Sequence, residues 1–193
     1  MTAIVGLVSD GRVYIGGDSA GVDSGLSLAV RAGSKVFRNG KYLFGFTTSF
    51  RMGQLIRHAL QPPKPPRAPA QLDRFMSTTF IDAIRDCLKT GGWVRRENDR
   101  EEGGTFLVGV RGRLYSVEED FQVGQTADGY AAVGSGAAVA LGALYATALT
   151  PMSPKKRVKV ALRAAERFNA GVRGPFVCLS IKPRPELVAG FGG

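Results

Sequence analysis

Short apolar runs alternate with turn residues through much of the chain, a pattern typical of β-hairpins. Asp-Gly and Asn-Gly dipeptides favour the positive φ angles that tight hairpin turns require. Asp10-Gly11 and Asn39-Gly40 each lie between two such runs. The predicted strands, in chain order, are residues 3–8, 12–16, 34–38, 41–46, 105–110, 113–117, 130–133 and 175–181.

Apolar residues recur at helical spacing between these strands. Two helices are predicted on either side of the proline-rich stretch 62–69, one around Met52 to Leu60 and one around Leu72 to Cys87. A third, over residues 136–149, is apolar on nearly all sides, which predicts that it is largely buried. Ser153 followed by Pro154 predicts the start of a fourth, basic helix. The polar segment 95–104 is predicted to be an exposed loop.

This order of elements favours an α+β fold. Antiparallel strands with helices gathered outside them predict two stacked sheets between two helix layers, a four-layer αββα sandwich. With 193 residues, 44% of them apolar, the chain can bury one sizeable core. We therefore expect one domain covering residues 1–193.

Composition narrows the possible functions. No apolar run is long enough to cross a bilayer, and the first residues do not resemble a secretory signal. Cys87 and Cys178 lack metal-ligand spacing and are expected to pack in the core of a cytoplasmic protein. His58 is the single histidine, which argues against Ser-His-Asp, Cys-His and His-rich metal sites. We predict no cofactor and no metal, since nucleotide-binding glycine motifs are also absent.

The net charge of +10 raises the alternative of nucleic-acid binding. The densest cluster of basic residues lies on the predicted basic helix and consists of Lys155, Lys156, Arg157, Lys159, Arg163 and Arg167. The apolar residues of this helix recur at helical spacing. A solvated face of an amphipathic helix explains this cluster better, because no nucleic-acid-binding motif accompanies it. Nucleic-acid binding is therefore the least favoured function.

Thr2 is the first candidate for chemistry. Removal of Met1 would leave a free α-amine beside the threonine hydroxyl. Such an amine has a pKa of about 7.7–8.0, so it can accept the hydroxyl proton while the oxygen attacks a carbonyl. By itself this signal is weak, because many chains begin with Met-Thr for no catalytic reason.

The segments after Thr2 resemble the proteasome β-subunit family and its bacterial peptidase relative HslV. The strand from Thr2, the second strand ending in Gly17-Asp18, the Gly33-Ser34-Lys35 segment and Gly134-Ser135-Gly136 carry the resemblance, which extends to about Ile181. It implies the N-terminal nucleophile (Ntn) hydrolase fold. It also implies a threonine peptidase that requires removal of Met1 and forms an acyl-ester on Thr2.

The resemblance assigns a role to each matched position. Lys35 would stabilise the developing alkoxide of Thr2, and Asp18 would keep that lysine charged. Ser135 would bond to the terminal amine; alternatively it caps the following helix. The backbone N–H of Ser49 would form the oxyanion hole.

Further implied positions concern the substrate and the terminal amine. Thr47 and Gly21 would contact the substrate, Thr47 at the floor of the specificity pocket. Asn169 stands where the family has an aspartate, and Val172 where it has a serine. These two departures leave open a catalytically silent scaffold or assembly subunit.

The resemblance also implies partners. We expect a ring-like homo-oligomer acting on polypeptides, with an ATPase unfoldase as a possible partner and no membrane association. An Ntn amidase acting on a small molecule is the remaining alternative.

Overall fold

The computed structural model describes residues 1–23, 25–97 and 100–182. Its strands are β1 Ile4–Ser9, β2 Arg12–Gly17, β3 Ala20–Val22, β4 Leu28–Val30, β5 Val36–Asn39, β6 Tyr42–Phe46, β7 Arg95–Glu97, β8 Arg100–Glu102, β9 Phe106–Val110, β10 Arg113–Val117, β11 Val123–Gly124, β12 Tyr130–Val133 and β13 Val177–Ile181. Its helices are α1 Phe50–His58, α2 Leu72–Phe75, α3 Ile81–Thr90, α4 Ala137–Ala146 and α5 Pro154–Phe168. A 3₁₀ turn (Pro69–Gln71) precedes α2, and a π-helical segment (Met76–Phe80) joins α2 to α3.

Two antiparallel sheets form the centre of the fold. One has the strand order β12-β1-β2-β13 and the other β11-β10-β9-β6-β5. The predicted hairpins are confirmed: Asp10 and Gly11 join β1 to β2 with φ angles of 49° and 66°. Gly40, with φ 57°, lies in the turn between β5 and β6.

The two sheets stack face to face with little space between them. Ile4, Ile15 and Leu43 are fully buried in the layer that they share. A Cβ on Gly45 would lie 2.5 Å from Ile4 Cγ2, so the backbone of β6 approaches β1 closely. Glycine is required at this point because any side chain would separate the sheets.

The helices cover the outer faces of the sheets. Helices α4 and α5 pack on the four-stranded sheet through a cluster that includes Leu144 and Leu162. Helices α1, α2 and α3 pack on the five-stranded sheet, where Phe44, Phe80 and Phe106 form part of an aromatic core. The predicted four-layer αββα sandwich is therefore confirmed.

Two predictions about individual segments were wrong, and one hairpin was not predicted. Helix α4 is not largely buried, because only Ala140 and Leu144 are buried in it. Tyr145 is 76% exposed, and Leu149, just beyond the helix, is 100% exposed. Residues 95–104 were predicted to be a loop but include the β7–β8 hairpin, with residues 98 and 99 outside the described part. The loop after Asp18 contains a further hairpin, β3–β4.

The single domain over residues 1–193 stays a prediction, since residues 24, 98–99 and 183–193 lie outside the description. In the described part, no helix is both long and apolar enough to span a membrane.

Candidate active site

The antiparallel register brings several strand ends to one edge of the sandwich. Thr2 precedes β1 and Asp18 follows β2, and the pairing of Ile4 with Gly17 makes these two residues neighbours. Lys35 directly precedes β5, whose Val36 packs near Gly17 across the interface between the sheets. Gly134 follows β12, which pairs with the other side of β1. Residues distant in sequence therefore surround the start of the chain.

Lys35 connects the threonine hydroxyl to the aspartate. Its Nζ donates to Thr2 Oγ1 at 2.8 Å and to Asp18 Oδ1 at 2.8 Å. Thr2, Asp18 and Lys35 are only 4%, 1% and 2% exposed. A buried ammonium must be paired to be tolerated, and both partners here are oxygens. The predicted proximity of these three residues is thus present in the structure.

Asp18 is itself held by backbone N–H groups. Its Oδ1 accepts from Ala3 at 3.1 Å, and its Oδ2 accepts from Ala20 at 2.9 Å and Arg173 at 3.4 Å. These donors fix the orientation of the carboxylate. Burial lowers the pKa of Lys35 below its ordinary value, while the charge and hydrogen bond of Asp18 oppose that decrease.

Ser135 lies on the backbone nitrogen of Thr2. The Thr2 N–H donates to Ser135 Oγ at 3.1 Å, and Ser135 Oγ donates to Asn169 Oδ1 at 3.2 Å. The alternative role of Ser135 as a helix cap was wrong, because Gly136 occupies the N-cap position of α4. Gly134 has φ 97° and lies directly against the Thr2 carbonyl oxygen, so a side chain there would displace Thr2.

Asn169 supports Ser135 from the end of α5. Asn169 Nδ2 donates to the Ser135 carbonyl at 2.9 Å, and its Oδ1 also accepts from the Gly171 N–H at 3.0 Å. Val172 is fully buried and packs in the core beneath α4 and α5. Asn169 therefore contributes to the site, whereas Val172 contributes only packing.

Met1 still covers the nitrogen of Thr2 in this structure. That nitrogen belongs to the Met1–Thr2 peptide bond, and the Thr2 hydroxyl donates to the Met1 carbonyl oxygen. The Met1 side chain lies against Gly171 and is 49% exposed. The basic amine that the chemistry requires would form only when this bond is cut.

The predicted oxyanion donor has a partner of its own. The Ser49 N–H donates to the Thr47 carbonyl at 2.7 Å, across Thr48, whose φ of 64° is unusual for a β-branched residue. Thr47 is 8% exposed and its Oγ1 faces Gly134, beside Thr2. Gly21 lies in β3, opposite Ala29 and against the Arg31 side chain.

Sequence reasoning missed two residues near the site, Arg31 and Phe50. Lys35 Nζ lies 5.8 Å from the centroid of the Phe50 ring, and Arg31 Cζ lies 4.5 Å from the same centroid. No sequence signal pointed to this pair, because the β3–β4 hairpin that carries Arg31 was not predicted.

No protein-family profile matches the chain, and no curated protein matches it in sequence. Solved structures do match it in fold. BPH from Thiobacillus denitrificans, in complex with epoxomicin, is 20% identical with a TM-score of 0.78, covering 95% of this chain and all of that one. HslV from Trypanosoma brucei is 19% identical with a TM-score of 0.66, covering 93% of this chain and 99% of that one.

A third similar structure is the Anbu (Gly-1) mutant from Hyphomicrobium sp. strain MC1. It is 16% identical, with a TM-score of 0.64, and the match covers 92% of this chain and 80% of that one. The chain therefore has the HslV-like Ntn hydrolase fold.

Proposed function

We propose that this protein is a threonine-type Ntn hydrolase that cleaves peptide bonds through an acyl-ester on Thr2. The observation that carries the proposal is the buried contact of Lys35 Nζ with Thr2 Oγ1 at 2.8 Å, with Asp18 on the same ammonium. Burying an ammonium costs free energy of solvation, even when a carboxylate pairs with it. A buried lysine in contact with a hydroxyl is therefore typical of a functional site. In support, BPH, which shares this fold, was solved with epoxomicin bound.

The reaction begins when removal of Met1 exposes the α-amine of Thr2. This amine takes the hydroxyl proton, directly or through a water, while Oγ1 attacks the substrate carbonyl carbon. Lys35 stabilises the negative charge that develops on Oγ1. Ser135, which Asn169 holds in place, directs the amine towards the hydroxyl.

The tetrahedral intermediate then collapses. The protonated α-amine gives its proton to the leaving amine, and the acyl group remains on Thr2 as an ester. A water molecule, deprotonated by the same amine, attacks the ester carbonyl. The bond from this carbon to Oγ1 then breaks, Oγ1 takes the proton back from the amine, and the acid is released. The Ser49 N–H would stabilise the oxyanion in both steps, exchanging its bond to the Thr47 carbonyl for one to the substrate.

We further propose that copies of this chain assemble into a ring-like homo-oligomer in the cytoplasm. In support, Tyr145 and Leu149 expose large apolar side chains at the end of α4, a helix that carries no charged residue. Apolar surface of this kind is commonly buried against another protein. An ATPase unfoldase that feeds polypeptide to the assembly belongs to this proposal as well.

Intact mass combined with inhibitor labelling tests the proposed chemistry. The expected result is a chain that lacks Met1 and gains one epoxomicin per subunit, at Thr2. Thr2→Ala should abolish the adduct, and Thr2→Ser should retain it, because Ser also supplies an N-terminal hydroxyl and amine.

Two other results would each favour a different function. A chain lacking Met1 that gives no adduct would overturn the proposal in favour of a silent scaffold. An adduct combined with turnover of small acyl amides, but not of unfolded polypeptide, would favour a small-molecule amidase.

A further inference from the structure

Arg31 is held at a fixed place beside the proposed active site. Its backbone N–H donates to the Ser19 carbonyl at 2.8 Å, and Ser19 directly follows Asp18. Its side chain packs on β3, where a Cβ on Gly21 would lie 2.9 Å from Arg31 Cγ. The absence of a side chain at Gly21 thus makes room for the arginine stem.

The Phe50 ring connects this arginine to the catalytic lysine. The Arg31 guanidinium stacks 4.5 Å from the ring centroid, and Lys35 Nζ lies 5.8 Å from the same centroid. Phe50 begins α1, immediately after Ser49. The guanidinium therefore stacks on the residue that follows the proposed oxyanion donor in the chain, and the same ring lies beside the lysine that contacts Thr2.

In the described part of the protein, the charge of Arg31 has no acidic partner. Over the side chains of residues 1–23, 25–95 and 100–182, no carboxylate lies within ion-pair distance of it. Lys35, the other cation on the Phe50 ring, is paired with Asp18. A guanidinium that is oriented by stacking yet unpaired is suited to bind a carboxylate from outside.

We propose that Arg31 determines specificity, selecting substrates that carry an acidic side chain close to the scissile bond. The inference rests on the proposed peptidase function. Arg31 acts on binding of the substrate and takes no part in the bond-breaking steps. Because the pair with the substrate is partly exposed to water, the expected preference for Glu over Gln is about 2- to 5-fold.

Peptide epoxyketones that carry Glu or Gln at each of the first three acyl-side positions test this inference. The rate of Thr2 labelling is measured by intact mass. The wild type should react faster with Glu at one position, and this preference should weaken as salt concentration rises. Arg31→Gln should remove the preference while leaving the rate with the Gln reagent close to wild type.

Two further variants complete the experiment. Arg31→Glu should reverse the selection, favouring a reagent with Lys over one with Glu. Arg74→Gln, which removes an equal charge from the exposed face of α2, should leave the preference unchanged.

The possible failures are distinguishable. Labelling of Thr2 without any Glu preference, or an Arg31→Gln variant that slows both reagents equally, would overturn the specificity role and leave the hydrolase intact. Absence of labelling with every reagent, in a chain lacking Met1, would instead overturn the proposed function on which the inference rests.

Discussion

The Asn169 side chain makes two hydrogen bonds to Ser135, one to its carbonyl at 2.9 Å and one from its hydroxyl at 3.2 Å. The Gly171 N–H fixes the orientation of the amide, because that N–H can only donate and it bonds to Oδ1. Nδ2 must therefore face the Ser135 carbonyl. Asparagine satisfies both contacts. An aspartate would instead place a carboxylate oxygen against the Ser135 carbonyl oxygen, and both of these groups can only accept hydrogen bonds.

The first prediction concerns this amide. Asn169→Ala should slow labelling of Thr2 by about 10-fold, because Ser135 loses the group that directs it to the Thr2 nitrogen. Asn169→Asp should lower the free energy of unfolding by about 1 kcal/mol through its clash with the Ser135 carbonyl. Labelling rates and urea titrations measure the two effects. An Asn169→Asp variant that is more stable and faster than wild type would contradict this assignment.

The second prediction concerns the pH dependence of labelling. The reaction needs a neutral α-amine and a charged Lys35, so the rate should rise through the amine pKa, about 7.7–8.0, and fall again at higher pH. Burial lowers the pKa of Lys35 from 10.5, with Asp18 opposing the shift, so the ammonium is lost as pH rises through this lowered value. The alkaline limb should therefore lie below pH 10.5.

Labelling rates over a pH series measure this profile, with circular dichroism at each pH to confirm that the protein stays folded. Lys35→Met serves as the comparison. It should be nearly inert, and its residual rate should lack the alkaline limb. A wild-type rate that keeps rising through pH 10.5 would exclude the ammonium from the reaction.

The third prediction tests whether Val172 weakens the site. Its side chain is fully buried, and a Cβ on Gly136 would lie 2.9 Å from Val172 Cγ2. Val172→Ser should reduce stability by about 1–3 kcal/mol, since it removes packed methyl groups and buries a hydroxyl. Labelling should not accelerate, because Asn169 already positions Ser135.

Thermal unfolding of Val172→Ser beside Val172→Ala separates the two costs. The alanine variant removes the methyl groups without adding a hydroxyl, so the serine variant should unfold at a lower temperature. A serine variant with unchanged stability and faster labelling would assign a catalytic function to the serine that this chain lacks.

The sequence predicted most where local signals were strong. Turn dipeptides such as Asp10-Gly11 identified the hairpins, and with them the stacking of the two sheets. The resemblance located Thr2, Asp18 and Lys35, which the antiparallel register does bring together. These predictions depend on residues whose identity is dictated by backbone geometry or by the chemistry itself.

Other features depend on contacts that no local pattern encodes. Helix α4 is apolar on every side, so its composition could not indicate that Tyr145 would face outward. The stacking of Arg31 on Phe50 joins two segments that are brought together only when the β3–β4 hairpin folds beside α1. Residues 20–30 contain only two β-branched residues, Val22 and Val30, and no Asp-Gly or Asn-Gly dipeptide, so no strong local signal predicted that hairpin.

The last prediction concerns the turn that orients the Ser49 N–H. Thr48 has φ 64°, and its Oγ1 accepts from the Thr105 N–H at 3.1 Å. Thr48→Val keeps the shape and the unfavourable φ but loses that acceptor, so it should cost about 1 kcal/mol of stability. Thr48→Gly loses the same hydrogen bond but removes a backbone cost of about 1 kcal/mol, so its stability should stay near wild type.

Chemical denaturation of Thr48→Gly and Thr48→Val measures this difference, and epoxyketone labelling links it to the oxyanion. The Ser49 N–H must leave the Thr47 carbonyl before it can bond to the substrate oxygen. Glycine allows that rotation more readily than a β-branched residue, so Thr48→Gly should label at least as fast as wild type and faster than Thr48→Val. Equal labelling rates in the two variants would mean that the turn does not have to open, and that the oxyanion is stabilised by another donor.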